Sequence, residues 1–484
     1  MRFSRVLLIT PPYSHGGYGA AFPLSGLGYI AQSLQDNGFE YSILDMNIGN
    51  GMNKLVEKIE SYRPDLVGIS MMTLDYMNHY KIAKSIAKSF QSIKIIVGGP
   101  HVSTFREKVL EDCEEIDYGV VLEGEKSIVE LCQGVELSEI KGLIYRNAGK
   151  ITFNGEREFI HDLDRINFPR YEGFDLCGYV NRRINVLTSR GCPFHCLYCA
   201  VNLVIGRKYR IRSSKYVAEE ITYWYDRGYR QIGILDDNFS LIKERVYEIC
   251  NELEKADLRG LELICDNGIR ADRVDMDLLK RMKEVGFQKI AFGVEAGNNK
   301  MMKVLRRDIK IEIVEQSIRN ACDLGFDVVL FFVVGAPEET WKDIEDSASL
   351  ALRHPVFDAV FGNLIPYPKT DLYDWIIKDS YFLIQPEIYL SNFSHLDTTP
   401  IFCTPELSME ERLKAIKYLD TVRRTVRRRN IERKIKHLFF AKKIISWIYV
   451  NKHFQRLIHF NSGFRWVTEK IFRLIQRKGL ADKQ

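Results

Sequence analysis

No segment of the chain runs for the roughly 18 uncharged apolar residues that a bilayer span requires, so a membrane-spanning helix is not expected. The first ten residues, Met1-Arg-Phe-Ser-Arg-Val-Leu-Leu-Ile-Thr10, are basic. Their apolar run is only a strand in length and no small-residue cleavage site follows, which argues against a secretory leader. Low-complexity tracts are absent, as is any internal repeat beyond alternating strand and helix signals. The dinucleotide fingerprint G-x-G-x-x-G is also missing: the loop after Thr10 offers Gly16-Gly17-Tyr18-Gly19, then Gly26 and Gly28, at the wrong spacing. Seven of the ten cysteines (Cys113, Cys132, Cys177, Cys250, Cys265, Cys322 and Cys403) stand singly, leaving no second close pair for a zinc site. Ten cysteines without a leader imply a reducing compartment, and the cytoplasm is the expected location.

What is present begins with an ordinary globular composition, 46% hydrophobic and 27% charged, over 484 residues. That length implies two to four domains at about 100–200 residues each. The three remaining cysteines share one loop, Thr188-Ser-Arg-Gly-Cys-Pro-Phe-His-Cys-Leu-Tyr-Cys199. Thiolates this close, at Cys192, Cys196 and Cys199, can hold three irons of a cubane and leave the fourth iron open to bind and reduce a ligand. A structural zinc completed by His195 is the alternative, weakened by the missing second pair.

From residue 180 onward, apolar runs at 184–189, 231–235, 261–265, 288–294, 327–334 and 358–365 alternate with helix-period segments near 214–228, 241–256, 275–286, 309–324 and 338–353. Several helices end at a glycine, Gly228, Gly286 or Gly325. Six β/α units in series predict a parallel sheet curled into a partial barrel over residues 181–400, with the cysteine loop after its first strand, where barrels place chemistry. Later strand ends carry Leu235-Asp236-Asp237-Asn238, Cys265-Asp266-Asn267-Gly268-Ile269-Arg270, Gly293-Val294-Glu295-Ala296-Gly297, Gly335-Ala-Pro-Glu-Glu-Thr340 and Pro366-Tyr-Pro-Lys-Thr-Asp371. Glu338 is a candidate cap of the following helix.

Residues 1–140 read as a separate doubly wound, Rossmann-like sheet, with strands near 5–9, 40–44, 65–70, 93–97 and 117–121 alternating with helical stretches near 25–38, 52–62, 76–90, 103–112 and 126–134. Their ends carry Thr10-Pro11-Pro12, Asp45-Met46-Asn47, Ser70-Met71-Met72-Thr73, Gly98-Gly99-Pro100-His101 and Glu123-Gly124-Glu125. Small and glycine-rich segments let a large planar ligand approach the backbone. Residues 141–180 form an expected connector with a hairpin around Asn147-Ala148-Gly149. Residues 401–484 hold 21 Lys and Arg against 7 Asp and Glu, a balance of +14, which leaves 5 − 14 = −9 for residues 1–400. This helical tail interleaves basic residues with Leu438, Phe439, Phe440, Ile444, Trp447, Ile448, Phe454, Leu457, Ile458, Phe464, Trp466 and Ile471. Packing of its apolar face on the barrel is favoured over contact with an anionic membrane surface.

The C-x3-C-x2-C loop, with Tyr198 before its last cysteine, resembles the hallmark of radical S-adenosylmethionine (SAM) enzymes. The resemblance implies a [4Fe-4S] cluster on Cys192, Cys196 and Cys199, whose open iron chelates SAM and cleaves it to a 5′-deoxyadenosyl radical. It further implies SAM contacts at Tyr198, Asp236, Asp237, Arg270 and Glu295. The N-terminal segments resemble the cobalamin-binding domain fused ahead of many such proteins, implying contacts at Pro11, Ser70, Met72, Thr73, Gly98, Gly99, Pro100, His101, Glu123 and Gly124. One departure stands out: corrinoid mutases carry D-x-H-x-x-G, and here Asp45-x-Asn47 puts Asn where the cobalt-ligating His would be.

By that resemblance, the expected activity is cobalamin-dependent methylation of an unactivated carbon or phosphorus centre in a small-molecule, lipid or natural-product substrate. One SAM supplies the radical, another the methyl group, and a flavodoxin or ferredoxin the electron. No nucleic-acid partner is expected. A radical oxidoreductase or cyclase without methyl transfer, as in the anaerobic cyclase of chlorophyll biosynthesis, and a non-catalytic corrinoid module are the alternatives. Methylthiotransferases fit less well, because their additional cysteine set and C-terminal RNA-binding barrel are missing.

Overall fold

The computed structural model describes residues 1–12, 22–393, 397–436, 441–451 and 454. The first sheet takes β1 (Arg5–Thr10), β2 (Glu40–Asp45), β3 (Leu66–Ser70), β4 (Lys94–Gly98), β5 (Tyr118–Val120), β6 (Leu143–Asn147) and β7 (Lys150–Phe153), in the spatial order β2-β1-β3-β4-β5-β6-β7. Pairing is parallel through β5 and antiparallel for β6 and β7. Alternation inside β1 shows why the sheet is covered on both faces: Leu7 and Ile9 enter one core with Val67, Ile69 and Val97, while Val6 and Leu8 enter another with Leu66 and Ile96. The 142–153 hairpin, read from sequence as part of the connector, adds β6 and β7 to this sheet, turning through Ala148 and Gly149, both at positive φ.

The second sheet contains β8 (Ile184–Val186), then β11 (Gln231–Ile234), β12 (Glu262–Ile269), β13 (Phe287–Glu295), β14 (Asp327–Val334) and β15 (Asp358–Asn363). Between them lies a short antiparallel ribbon of β9 (Ser189–Arg190) and β10 (Arg210–Ile211). The six strands are parallel and stand in chain order from β8 to β15, which is the partial barrel expected. Ile232, Leu263, Ile290, Phe292, Leu330 and Phe332 pack outward against the helices. The tail helix Met409–Lys434 seals the β15 edge, burying Ala415, Leu419, Val422 and Val426, and Arg423 pairs with Asp358 at 2.9 Å. Packing therefore accounts for this part of the tail; residues 437–440 and most of those beyond 451 lie outside the described set.

Four local expectations are corrected. The first expected run, 184–189, divides into β8 and β9. The third strand continues to Ile269, with a register shift between Cys265 and Ile269, because Gly268 at φ 92° permits an irregular path that apolar periodicity does not reveal. The expected helix near 103–112 is two short helices, Pro100–Phe105 and Glu107–Asp112, divided by Arg106 at φ 55°. Thr340, rather than Glu338, caps Trp341–Arg353, in a capping box with Asp343.

Candidate active site

The cysteine loop leaves the barrel between β8 and β10 and is anchored at its root. Thr188 donates from its backbone N–H and its hydroxyl to Asp236, at 2.6 and 2.5 Å, and the Ser189 hydroxyl donates to the same carboxylate at 2.6 Å. Asp236 is only 2% exposed, so its side chain braces the loop root and does not reach open space. Asp237 next to it stays partly accessible and couples electrostatically to Cys192 and Cys199; burial, then the neighbouring Asp236, raise its carboxyl to about 6. At Gly191, φ is 90° and a Cβ would lie 2.3 Å from the Lys208 carbonyl oxygen, so the residue before Cys192 has no room for a side chain.

Cys192, Cys196 and Cys199 are free, partly accessible and mutually coupled. Burial raises the thiols of Cys192 and Cys199, the latter to about 12, so ionising them requires the positive charge that iron would bring. Among the described residues, no three His, Cys, Asp or Glu side chains converge as ligands of a single ion. A cubane places each thiolate on its own iron. His195 is exposed, 3.3 Å from Arg207, and is thus engaged away from a closed zinc set. Leu197 locks the middle of the loop: its N–H donates to the Leu305 carbonyl at 3.2 Å and its carbonyl accepts from the Leu372 N–H at 3.1 Å.

Around the loop stand the charged strand ends. Arg270, 5% exposed, stacks 3.7 Å above the Phe194 ring and binds Asp272 through Nε at 2.9 Å, while its Nη1 has no hydrogen-bond partner among the described residues. Glu295 follows a bulge at the end of β13 and holds φ 70°, a strained conformation for a residue with a side chain. Burial raises its carboxyl, against the opposing effects of Arg307 and a hydrogen bond to Tyr198. Arg307, which no sequence motif singled out, donates through Nη1 to Cys196 Sγ at 3.3 Å. Its Nε, the Arg270 Nη1 and both amide atoms of Asn238 are buried without hydrogen-bond partners among the described residues.

The N-terminal edge differs. Pro11, Ser70, Met72, Gly98, Gly99, Pro100 and Gly124 line up along the strand ends, with Thr73 buried beneath them. Thr10 Oγ1 is buried and has no hydrogen-bond partner among the described residues. Gly99 holds φ 105°, and a Cβ there would stand 2.8 Å from the Met71 carbonyl oxygen, so only glycine keeps this surface flat. Asn47 donates to the Pro11 carbonyl at 2.9 Å, tying down the loop at which a mutase would present histidine. His101 turns inward: its ring stacks on Tyr76 at 4.7 Å, its Nε2 meets the Tyr80 hydroxyl at 3.0 Å, and burial lowers it to about 3, keeping it neutral.

Glu123 also faces away from that edge. It accepts from Arg190 at 2.8 Å, from Arg210 at 2.7 Å and from the Ile160 N–H at 2.7 Å, while Glu125 accepts from Arg190 at 2.7 Å. Burial alone would raise Glu123, but the two guanidiniums outweigh it and hold the carboxyl below its ordinary range. Arg190 also lies over the Tyr29 ring at 4.8 Å. Because Arg190 is two residues before Cys192, this buried cluster joins the N-terminal sheet to the root of the cysteine loop. On the far side of the loop, Val201–Ile205 packs against Pro100–Phe105, the helix that follows Gly99. The carboxyl edges of the two sheets therefore meet.

Comparisons with known proteins agree with this arrangement. The radical SAM superfamily model matches residues 186–351, and the B12 binding domain model matches residues 19–132. An uncharacterised methyltransferase of Pyrococcus horikoshii is 28% identical over 81% of this chain and 90% of its own length. A cytidylyl-2-hydroxyethylphosphonate methyltransferase of Streptomyces wedmorensis is 26% identical over 69% of this chain and 73% of its own. The anaerobic magnesium-protoporphyrin IX monomethyl ester cyclase of Rubrivivax gelatinosus is 26% identical over 76% and 69%. Among solved structures, the cobalamin-dependent SAM radical enzyme OxsB superposes with a TM-score of 0.74 at 15% identity, covering 97% of this chain and 75% of that one. The radical SAM methyltransferase TsrM of Kitasatospora setae, with cobalamin and a [4Fe-4S] cluster bound, gives 0.67 at 20%, covering 78% and 75%. With a three-cysteine loop at the head of a partial barrel and a B12-type sheet clamped to its root, this chain carries a radical SAM domain over residues 186–351 and a B12-binding domain ahead of it over residues 19–132.

Proposed function

We propose that the protein is a cobalamin-dependent radical SAM methyltransferase acting on an unactivated carbon or phosphorus centre of a small molecule. The observation that carries this reading is the meeting of two unlike ligand edges, joined by Arg190 and its partners Glu123 and Glu125. When bound, the cluster supplies the electron that cleaves SAM, and cobalamin supplies a carrier for a methyl group. Cys192, Cys196 and Cys199 hold the three ligated irons. Arg270, Glu295 and Asp237 would bind and orient the charged end of SAM, and the backbone beside Tyr198 would border its adenine. The neutral surface of Pro11, Ser70, Met72, Gly98, Gly99, Pro100 and Gly124 receives the corrin, with Asn47 in the place of a lower histidine ligand. His101, Thr73, Glu123 and Asp236 support these surfaces from beneath. The electron comes from an external donor such as flavodoxin or ferredoxin.

The test is product analysis after anaerobic reconstitution with iron, sulfide, cobalamin, SAM, reductant and candidate small-molecule acceptors. Substrate-dependent 5′-deoxyadenosine together with S-adenosylhomocysteine is the expected outcome. Deoxyadenosine alone would replace methyl transfer with oxidoreductase or cyclase chemistry, the activity named for the Rubrivivax relative. Neither product, with cobalamin still bound, would leave a corrinoid module without catalysis.

A further inference from the structure

Arg307 is placed with unusual determination for a residue in a loop. Its neighbours Arg306 and Asp308 both hold positive φ, 54° and 48°, so the chain reverses around it. Arg306 turns outward to pair with Asp371, and Arg307 turns in. The carbonyl of Arg307 accepts from Arg270 Nη2 at 2.8 Å, while Nη2 of Arg307 donates to the Gly293 carbonyl at 2.7 Å. Its side chain is only 10% exposed. Glu295 stands 3.7 Å from Nη2, close enough to balance charge but beyond hydrogen-bond distance. The direct side-chain contact is the one to sulfur: Nη1 donates to Cys196 Sγ at 3.3 Å.

The three thiols are therefore not equivalent. Cys192 and Cys199 receive backbone N–H groups, from Phe194 and Val201. Cys196 receives a full positive charge. A guanidinium stays protonated at any working pH, and in a dry site its field is weakly screened. Reduction adds one negative charge to an iron-sulfur cluster, so a fixed cationic donor on a ligating sulfur stabilises the reduced state more than the oxidised one.

We propose that Arg307 is a positioning residue that sets the reduction potential of the cluster by donating a charged hydrogen bond to the thiolate of Cys196. The inference rests on the reading that Cys192, Cys196 and Cys199 hold a [4Fe-4S] cluster. The experiment is a potentiometric titration, followed by electron paramagnetic resonance, of the anaerobically reconstituted full-length protein without SAM, with iron and sulfide measured on each sample. In Arg307→Gln, the ratio of reduced to oxidised cluster at a fixed potential falls about tenfold, a downward shift of about 59 mV for one electron. Arg307→Lys shifts the same way by less, because a point charge does not reproduce the planar fork. Glu295→Gln shifts it upward by removing the balancing negative charge, and Arg306→Gln leaves it unchanged.

A fully loaded Arg307→Gln with the wild-type midpoint overturns the proposal. Should Arg307→Gln fail to hold iron, the Lys and Glu295→Gln variants decide, and wild-type midpoints in both overturn it. Failure of the wild-type protein itself to assemble a cluster is a different result and overturns the cofactor reading beneath.

Discussion

Among the described residues, the carboxyl edge of the N-terminal sheet carries small uncharged residues at its strand ends, Pro11, Ser70, Gly98, Gly99, Pro100 and Gly124. At the barrel edge, Arg270, Glu295 and Arg307 are buried around three thiols, with Asp237 beside them. The difference teaches what each edge suits. A wide corrin is held by flat surface and shape, which glycine and proline provide, whereas a compact zwitterion on a cluster is held by charge in a low-dielectric setting. The carboxylates of the N-terminal edge, Glu123 and Glu125, are spent on joining the two edges.

The largest expected effect falls on the barrel edge alone. Cys196→Ala removes one iron ligand, and iron analysis after reconstitution should find the cluster essentially lost while cobalamin retention, read from the visible spectrum, is kept. Gly99→Val makes the reciprocal break. A β-branched residue at φ 105° meets the Met71 carbonyl and costs at least about 1–2 kcal/mol in backbone strain, so cobalamin retention should fall while iron content holds. If either variant lost both cofactors while remaining folded, the two edges would not be separable.

Glu123→Gln tests the junction. Removing one member of a buried ion cluster costs about 3–5 kcal/mol, read by chemical denaturation near neutral pH. The sign of its pH dependence follows from the depressed carboxyl: its stabilisation is complete above the ordinary carboxylate range and is lost as the pH falls through the lowered value. The gap between wild type and variant should therefore narrow in acid. A gap that widened would contradict the assignment.

The smallest effect lies outside both edges. Ile444 and Trp447 on the helix Ala441–Val450 are 65% and 62% exposed, and replacing both with Ser should leave both cofactors in place. Because packing is the favoured reading of this tail, partition onto anionic vesicles is expected to stay unchanged; a drop of about tenfold, from about 1.5 kcal/mol of apolar burial, would contradict it.

Most of the architecture was legible because β/α alternation leaves both a period and a punctuation: Gly228, Gly286 and Gly325, expected to close helices, all hold positive φ. The extension of β12 was not, since Asp266 and Gly268 break the apolar run in an irregular stretch whose register against β13 shifts. At the site, motif spacing located the cysteines, Glu295 and Gly99. It could not assign partners across distance: Glu123 meets Arg190 from 67 residues away, and Arg307 reaches Cys196 from 111. Arg307 carries no motif, and the only signal was the Arg306-Arg307 doublet, whose two members point opposite ways.

The most direct test of two edges built for two cofactors is the content of iron, sulfide and cobalamin in the purified, anaerobically reconstituted full-length protein. The account predicts one four-iron cluster and one cobalamin per chain, with the cluster alone in Gly99→Val and the cobalamin alone in Cys196→Ala. A wild-type chain that holds its cluster but retains no cobalamin would contradict it.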